Sequence, residues 1–190
     1  MKALIIGVTG QDGSLLAESL LKKGFEVHGT FRRGSSDTFW RLLDLDIYKK
    51  IVLHTYHIGS QINISKILKD IEPEYIFVSA GESFTEMSFE EPKHYLEINT
   101  GGAIEILEAV KNFSPESRVF FSSSSEIFGQ QDKSIDSLKE DSLTAPNNPY
   151  GISRLAMGHF VRVYRERYKL NLFTGILFPH ESPYLSLIHI

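Results

Sequence analysis

Short uninterrupted apolar runs alternate along the chain with longer stretches whose apolar residues recur every third or fourth position. Lys2 to Val8, Phe25 to Phe31, Ile51 to Tyr56, Glu74 to Ser79, Arg118 to Ser123 and Leu172 to Phe178 have the length and composition of buried strands. Between them, Ser14 to Lys23, Ile62 to Ile71, Pro92 to Asn112 and Pro149 to Tyr168 carry helical spacing, and Thr38 to Leu45 predicts a short helix. Gln130 to Asn148 has no apolar period and predicts a long surface loop. Five strand-to-helix alternations predict an α/β fold with a doubly wound parallel sheet of Rossmann type.

Composition narrows the reading without redirecting it. The 190 residues are 42% apolar and 23% charged, enough for one core in a single unit. A net charge of -4 leaves no electrostatic footprint for nucleic acid or an anionic membrane, so phosphate binding has to be local. The absence of cysteine excludes disulfides and thiolate metal sites. His54 and His57 are expected to point to opposite faces of a strand, and no metal site is predicted. The N-terminal apolar run is too short for a signal segment or a membrane span, and the expected location is cytoplasmic.

Candidate chemistry gathers at predicted strand ends, where open α/β sheets hold ligands. Gly7, Gly10 and Gly13 lie between the first strand and a helix, a spacing suited to a dinucleotide pyrophosphate: glycine permits close backbone approach and the helix N-terminus supplies amide donors. Arg32 and Arg33, with Ser35 and Ser36, follow the second strand where NAD sites usually present an acid. Two guanidiniums there favour a 2′-phosphate and hence NADP over NAD, the alternative being a solvated basic turn. Ser79, Ala80 and Gly81 are small residues that admit a ligand to the backbone after the fourth strand. The acids at 82, 86, 90 and 91 read as a solvated face.

The fifth strand runs into Phe121-Ser-Ser-Ser-Ser-Glu126-Ile-Phe-Gly129, either a polar turn or part of an acid/base set. Tyr150 and Arg154, four apart on a predicted helix, face the same way and favour the second reading.

These segments, together with Gln11-Asp12-Gly13-Ser14 and His180-Glu181-Ser182-Pro183, resemble the GDP-mannose 4,6-dehydratases, extended short-chain dehydrogenases/reductases. The resemblance runs from Ala3 to Pro183. It implies a nucleotide-sugar lyase working on a GDP-mannose-like substrate through an internal hydride cycle on tightly held NADP. Tyr150 would take the proton of the sugar 4-hydroxyl, Ser124 would hydrogen-bond that oxygen, and Glu126 would remove the C5 proton and assist loss of the C6 hydroxyl. Cofactor contacts are implied at Gly7, Thr9, Gly10, Gln11, Asp12, Gly13, Arg32, Arg33, Ser35, Ser36, Ala80, Gly81, Ser83 and His180. Helices 92–112 and 149–168 match those that pair between subunits, so a homo-oligomer is expected.

Several positions depart from the family pattern. Arg154 stands where the family has lysine, His57-Ile58 replace an Asp-Leu pair, and Pro179 replaces an asparagine. Residues 1–183 are expected to be the dinucleotide-binding domain. Residues 184–190 are expected to be a non-family tail, an added strand or the unrelated end of a shortened reading frame, with most of the substrate domain missing. The alternatives carried forward are an epimerase or reductase of the same superfamily and a dinucleotide-binding protein without catalysis.

Overall fold

The computed structural model describes residues 1–34, 38–131 and 137–185. Ser35 and Ser36, assigned to the cofactor site from sequence, lie outside the described residues. Six strands, β1 (Lys2–Ile6), β2 (Glu26–Phe31), β3 (Val52–Thr55), β4 (Tyr75–Val78), β5 (Arg118–Ser124) and β6 (Leu172–Leu177), form one sheet in the order β3-β2-β1-β4-β5-β6. Every pairing is parallel. The helices are α1 (Gln11–Lys22), α2 (Trp40–Asp44), α3 (Gln61–Ile71), α4 (Met87–Glu90), α5 (Pro92–Tyr95), α6 (Gly102–Phe113) and α7 (Pro149–Tyr168). The strand order reverses between β1 and β4, which opens a crevice at their C-terminal ends.

Strand alternation sorts the core into two layers. Leu4, Ile6, Ile76, Val78, Val119 and Phe121 pack with Ile64 and Leu68 of α3, Ile106 and Leu107 of α6, and Met157 and Val161 of α7. Ala3, Ile5 and Val27 pack with Ala17 and Leu20 of α1 and Leu42 of α2. Full burial of a side chain such as Phe121 or Leu107 contributes about 1.5–3 kcal/mol. The two layers hold the strand ends rigidly, and the loops carrying the polar residues hang from them.

Two departures from the sequence-based elements bear on the site. Helix α1 begins at Gln11, three residues before the expected Ser14, because Gly10 is its N-cap and Gly13 already lies in its first turn. The segment read as one helix from Pro92 to Asn112 is broken by a π turn, Leu96–Gly101, between α5 and α6. The wider turn lets consecutive residues Asn99 and Thr100 both face inward, and each bonds to Ser153 on α7. Burial of a polar pair with partners replaced the apolar periodicity that the sequence showed.

Candidate active site

The glycine segment forms a cradle at the end of β1. Gly7 turns the chain with φ of 96°, and a Cβ there would meet the Ala80 backbone at 2.9 Å. A Cβ on Gly13 would lie 2.2 Å from Gly7 O, so the first turn of α1 presses against the loop before it. Gly10 has an ordinary φ of -73°, and a Cβ there would make only one contact, at 3.4 Å. The three glycines thus serve three needs: the turn, open access and close packing. Loop amides at the N-terminus of α1 fit a pyrophosphate.

A strap from the end of the chain crosses this cradle. The ring nitrogens of His180 bond to Asp12 Oδ1 at 2.9 Å and Phe178 O at 2.7 Å, and both partners accept. The two acceptors hold the imidazole above its ordinary pKa, the Phe178 carbonyl contributing most. Gln11 Nε2 donates to His180 O at 3.4 Å. Arg41 of α2 donates from Nη1 to Thr9 O and from Nε to Tyr184 O, at 3.2 and 2.8 Å, while Tyr184 Oη donates to Asp44 Oδ2 at 2.8 Å. Burial lowers the Arg41 pKa. Arg41 escaped the sequence reading, although it lies in the short helix directly after the Arg32-Arg33 segment. Arg32 and Arg33 themselves are exposed after β2.

At the other side of the crevice, Ser124 ends β5 and caps a 3₁₀ turn, Ser125–Phe128, its Oγ accepting from Glu126 N at 3.2 Å. Glu126 Oε2 accepts from Asn148 Nδ2 at 2.7 Å, and Asn148 Oδ1 caps α7 by accepting from Gly151 N at 2.7 Å. A Cβ on Gly151 would lie 2.5 Å from Glu126 O, so the first turn of α7 sits directly on the Glu126 backbone. The sequence placed Ser124, Glu126 and Tyr150 together, and these contacts join their elements. Asn148 was missed, although Asn before Pro at a helix start signals an N-cap.

Tyr150 is buried, its ring edge-on to Tyr95 with centroids 6.3 Å apart. The Arg154 guanidinium lies 5.3 Å from the Tyr150 ring centroid, so the expected common face of tyrosine and cation is present. Its donors turn elsewhere: Nη1 to Ser122 O and Nη2 to Glu82 O, each at 3.2 Å. The residue is 7% exposed, its Nε has no partner, and no carboxylate among the described residues forms an ion pair with it. Gly81, read as open backbone, is exposed on one side only. On the other, a Cβ would meet Asn99 Oδ1 at 2.6 Å and Arg154 Nη2 at 2.7 Å.

Glu82, read as part of a solvated acidic face, belongs to this end of the site. Its carboxylate lies 3.4 Å from His94 Nε2, and its backbone N–H donates to Asn99 Oδ1 at 3.0 Å. Ala80 packs on Gly7, and Ser83 is exposed on the loop after β4. Among the described residues no cluster of three or more metal-binding side chains occurs, and no helix is long and apolar enough to cross a membrane. His54 pairs with His28, Nε2 to Nδ1 at 3.0 Å, away from His57, which lies beyond the strand.

The sequence matches the family described as GDP-mannose 4,6 dehydratase over residues 4–188. It is 36% identical over 191 residues to a Vibrio cholerae protein named GDP-mannose 4,6-dehydratase, covering 96% of this chain and 50% of the relative. A human protein of that name is 36% identical over 189 residues, with 95% and 50% covered. The chain therefore spans about half the length of the curated relatives it matches. Among solved structures, the Thermus thermophilus UDP-glucose 4-epimerase complex with NAD superposes with a TM-score of 0.82 at 22% identity, covering 96% of this chain and 58% of that one. The Bacillus cereus UDP-glucuronic acid 4-epimerase in complex with UDP-glucuronic acid and NAD gives 0.79 at 24%, covering 92% and 55%. These structures share the fold.

Proposed function

The chain belongs to the GDP-mannose 4,6 dehydratase family, and from that membership we propose that it carries the cofactor-binding and acid/base half of a nucleotide-sugar 4,6-dehydratase. The observation that supports this most directly is Glu126, whose carboxylate is tethered by Asn148 at 2.7 Å between Ser124 and the first turn of α7. An enzyme that only oxidises and re-reduces one sugar carbon has no use for a positioned carboxylate at that point. A dehydratase needs it to take the proton next to the new ketone and to help a hydroxyl leave as water.

The division of labour is the one that the family resemblance implies for these residues. Tyr150 takes the proton of the sugar 4-hydroxyl, Ser124 donates to the same oxygen as it becomes a carbonyl, and Glu126 works on the neighbouring C5–C6 bond. Gly7, Gly10, Gly13 and the α1 amides hold a pyrophosphate, with Arg32 and Arg33 favouring a 2′-phosphate and so NADP. A nicotinamide dinucleotide supplies the hydride acceptor at C4 and donor at C6.

The test is incubation of the chain with saturating NADP and GDP-mannose, followed by mass analysis of the sugar nucleotide. The expected product has lost one water and carries a 4-ketone, and Glu126→Gln stops the loss of water. A C4-epimerised or reduced product that retains the water would instead support the epimerase or reductase reading and refute this one.

A further inference from the structure

A cavity of about 560 Å³ lies between α7 and the edge strand β6, and neither the glycine cradle nor Ser124, Glu126 or Tyr150 lines it. Four cations do: Arg154, Arg162 and Arg165 from α7, and Lys139 from the loop before it. They face one carboxylate, Glu140, in a chain whose net charge is -4. Among the described residues no carboxylate forms an ion pair with any of the four. A concave surface of one sign concentrates ligands of the other.

The inner end of this surface is buried. Arg154 is 7% exposed, spends two donors on the carbonyls of Ser122 and Glu82, and keeps others without an acceptor, Nε among them. A buried cation with no counter-charge is costly, and an anion in the cavity supplies one. Residues 154, 158, 162 and 165 fall on one stripe of α7, and the second of them is Gly158. Glycine inside a helix is destabilising relative to alanine. Packing does not require it here, since a Cβ would meet only Thr174 Cγ2, at an ordinary 4.0 Å. Its missing side chain keeps the space between α7 and β6 open. Arg162 and Arg165, three apart and so neighbours on the helix surface, suit the oxygens of one phosphate. Leu155, Ile176 and Phe178 give the same cavity apolar walls.

We propose that this cavity is a second anion site, which takes a phosphomonoester with an apolar ring body. Arg162 and Arg165 hold the phosphate, Leu155, Ile176 and Phe178 contact the ring, and Arg154 contributes its uncompensated charge from the buried end. The inference does not depend on the reading of the dinucleotide cradle.

Calorimetric titration of the native chain with phenyl phosphate and with inorganic phosphate tests it. Phenyl phosphate is expected to bind at least about fivefold more tightly than inorganic phosphate. Gly158→Leu, which fills the cavity, and Arg162→Gln, at an exposed position, should each weaken phenyl phosphate binding about tenfold. Circular dichroism and melting temperature establish that both variants fold. Equal affinity in the native chain and both variants places the anion elsewhere and overturns the site, as does failure of phenyl phosphate to bind the native chain. Equal affinity for the two phosphates overturns the ring body.

Discussion

Alanine at Gly13 tests whether the three glycines divide their work as the cradle geometry requires. Its Cβ would sit 2.2 Å from Gly7 O, 2.9 Å from Val8 Cα and 3.0 Å from Gly7 C. All three are backbone atoms, so no side chain can rotate aside, and α1 has to retreat by most of an ångström. Alanine's better helix propensity returns about 1 kcal/mol. Overpacking usually costs about 1–3 kcal/mol; against three backbone atoms the cost is set above that range, at about 4 kcal/mol, and the expected net loss is about 3 kcal/mol. For a domain of this size that lowers the melting temperature by about 6–12 °C. Gly10→Ala is the matched control, since its φ of -73° suits alanine and its nearest contact is an ordinary 3.4 Å. Stability should stay within about 0.5 kcal/mol, while the added methyl at the helix N-cap weakens NADP binding tenfold or more, about 1.4 kcal/mol. Urea denaturation and calorimetric titration of both variants separate the roles. A Gly13→Ala midpoint equal to native, or native NADP affinity in Gly10→Ala, would refute the assignment.

Asn148 serves α7 and Glu126 at once, and two substitutions part these roles: Asn148→Ala should lose about 1 kcal/mol of stability with its cap. Asn148→Ser keeps a capping oxygen but cannot reach Glu126, so it should fold like native and lose dehydration rate; equal rates in native and Ser variants would show that the tether does no chemistry. His180 has a folded pKa raised above its unfolded value near 6.5 by the Phe178 carbonyl and Asp12, so its contribution is complete below that value and disappears as pH rises through the folded one. The melting-temperature gap between native and His180→Gln should therefore be widest near pH 6 and shrink towards pH 9; a constant gap would exclude a charged His180 from the strap.

Most of the fold was legible because a parallel sheet writes its strands as continuous apolar runs, and α7 was read from Pro149 to Tyr168 because proline marks its start and its apolar spacing is unbroken. The π turn was not legible, since periodicity reports which residues are apolar. Here the inward positions are taken by Asn99 and Thr100, whose partners on α7 come from another part of the chain. The same limit hid Glu82. Its charge looked solvent-facing in a run of acids, and only the loop after β4 turns it towards His94. Ser124, Glu126 and Tyr150 could be placed at one end of the sheet because each follows a strand end or opens a helix, where position is legible from the sequence. Arg154 was correctly placed on the Tyr150 face, but its partners were not legible, because helical spacing sets where a side chain starts and a long flexible one chooses where it ends.

That choice has a physical cost. A buried guanidinium without a carboxylate relies on carbonyl dipoles and the Tyr150 ring, and its unpartnered Nε alone costs about 1–3 kcal/mol. In return the guanidinium bridges Ser122 O on β5 and Glu82 O beyond β4, at 3.2 Å each. Glu82 O has a second donor in Asn99 Nδ2 at 3.1 Å, and Asn99 is held in turn by Ser153 Oγ at 3.0 Å, one residue before Arg154. The loop after β4 is thus fixed by an uncharged network on the same turn of α7, with or without the guanidinium. Loss of Arg154 removes the tie that reaches Ser122 on β5 and leaves the loop after β4 held on α7 through Asn99 and Ser153. The position of Tyr150, whose carbonyl accepts from the same Ser153 Oγ at 2.7 Å, depends on the uncharged tie rather than on its neighbouring cation.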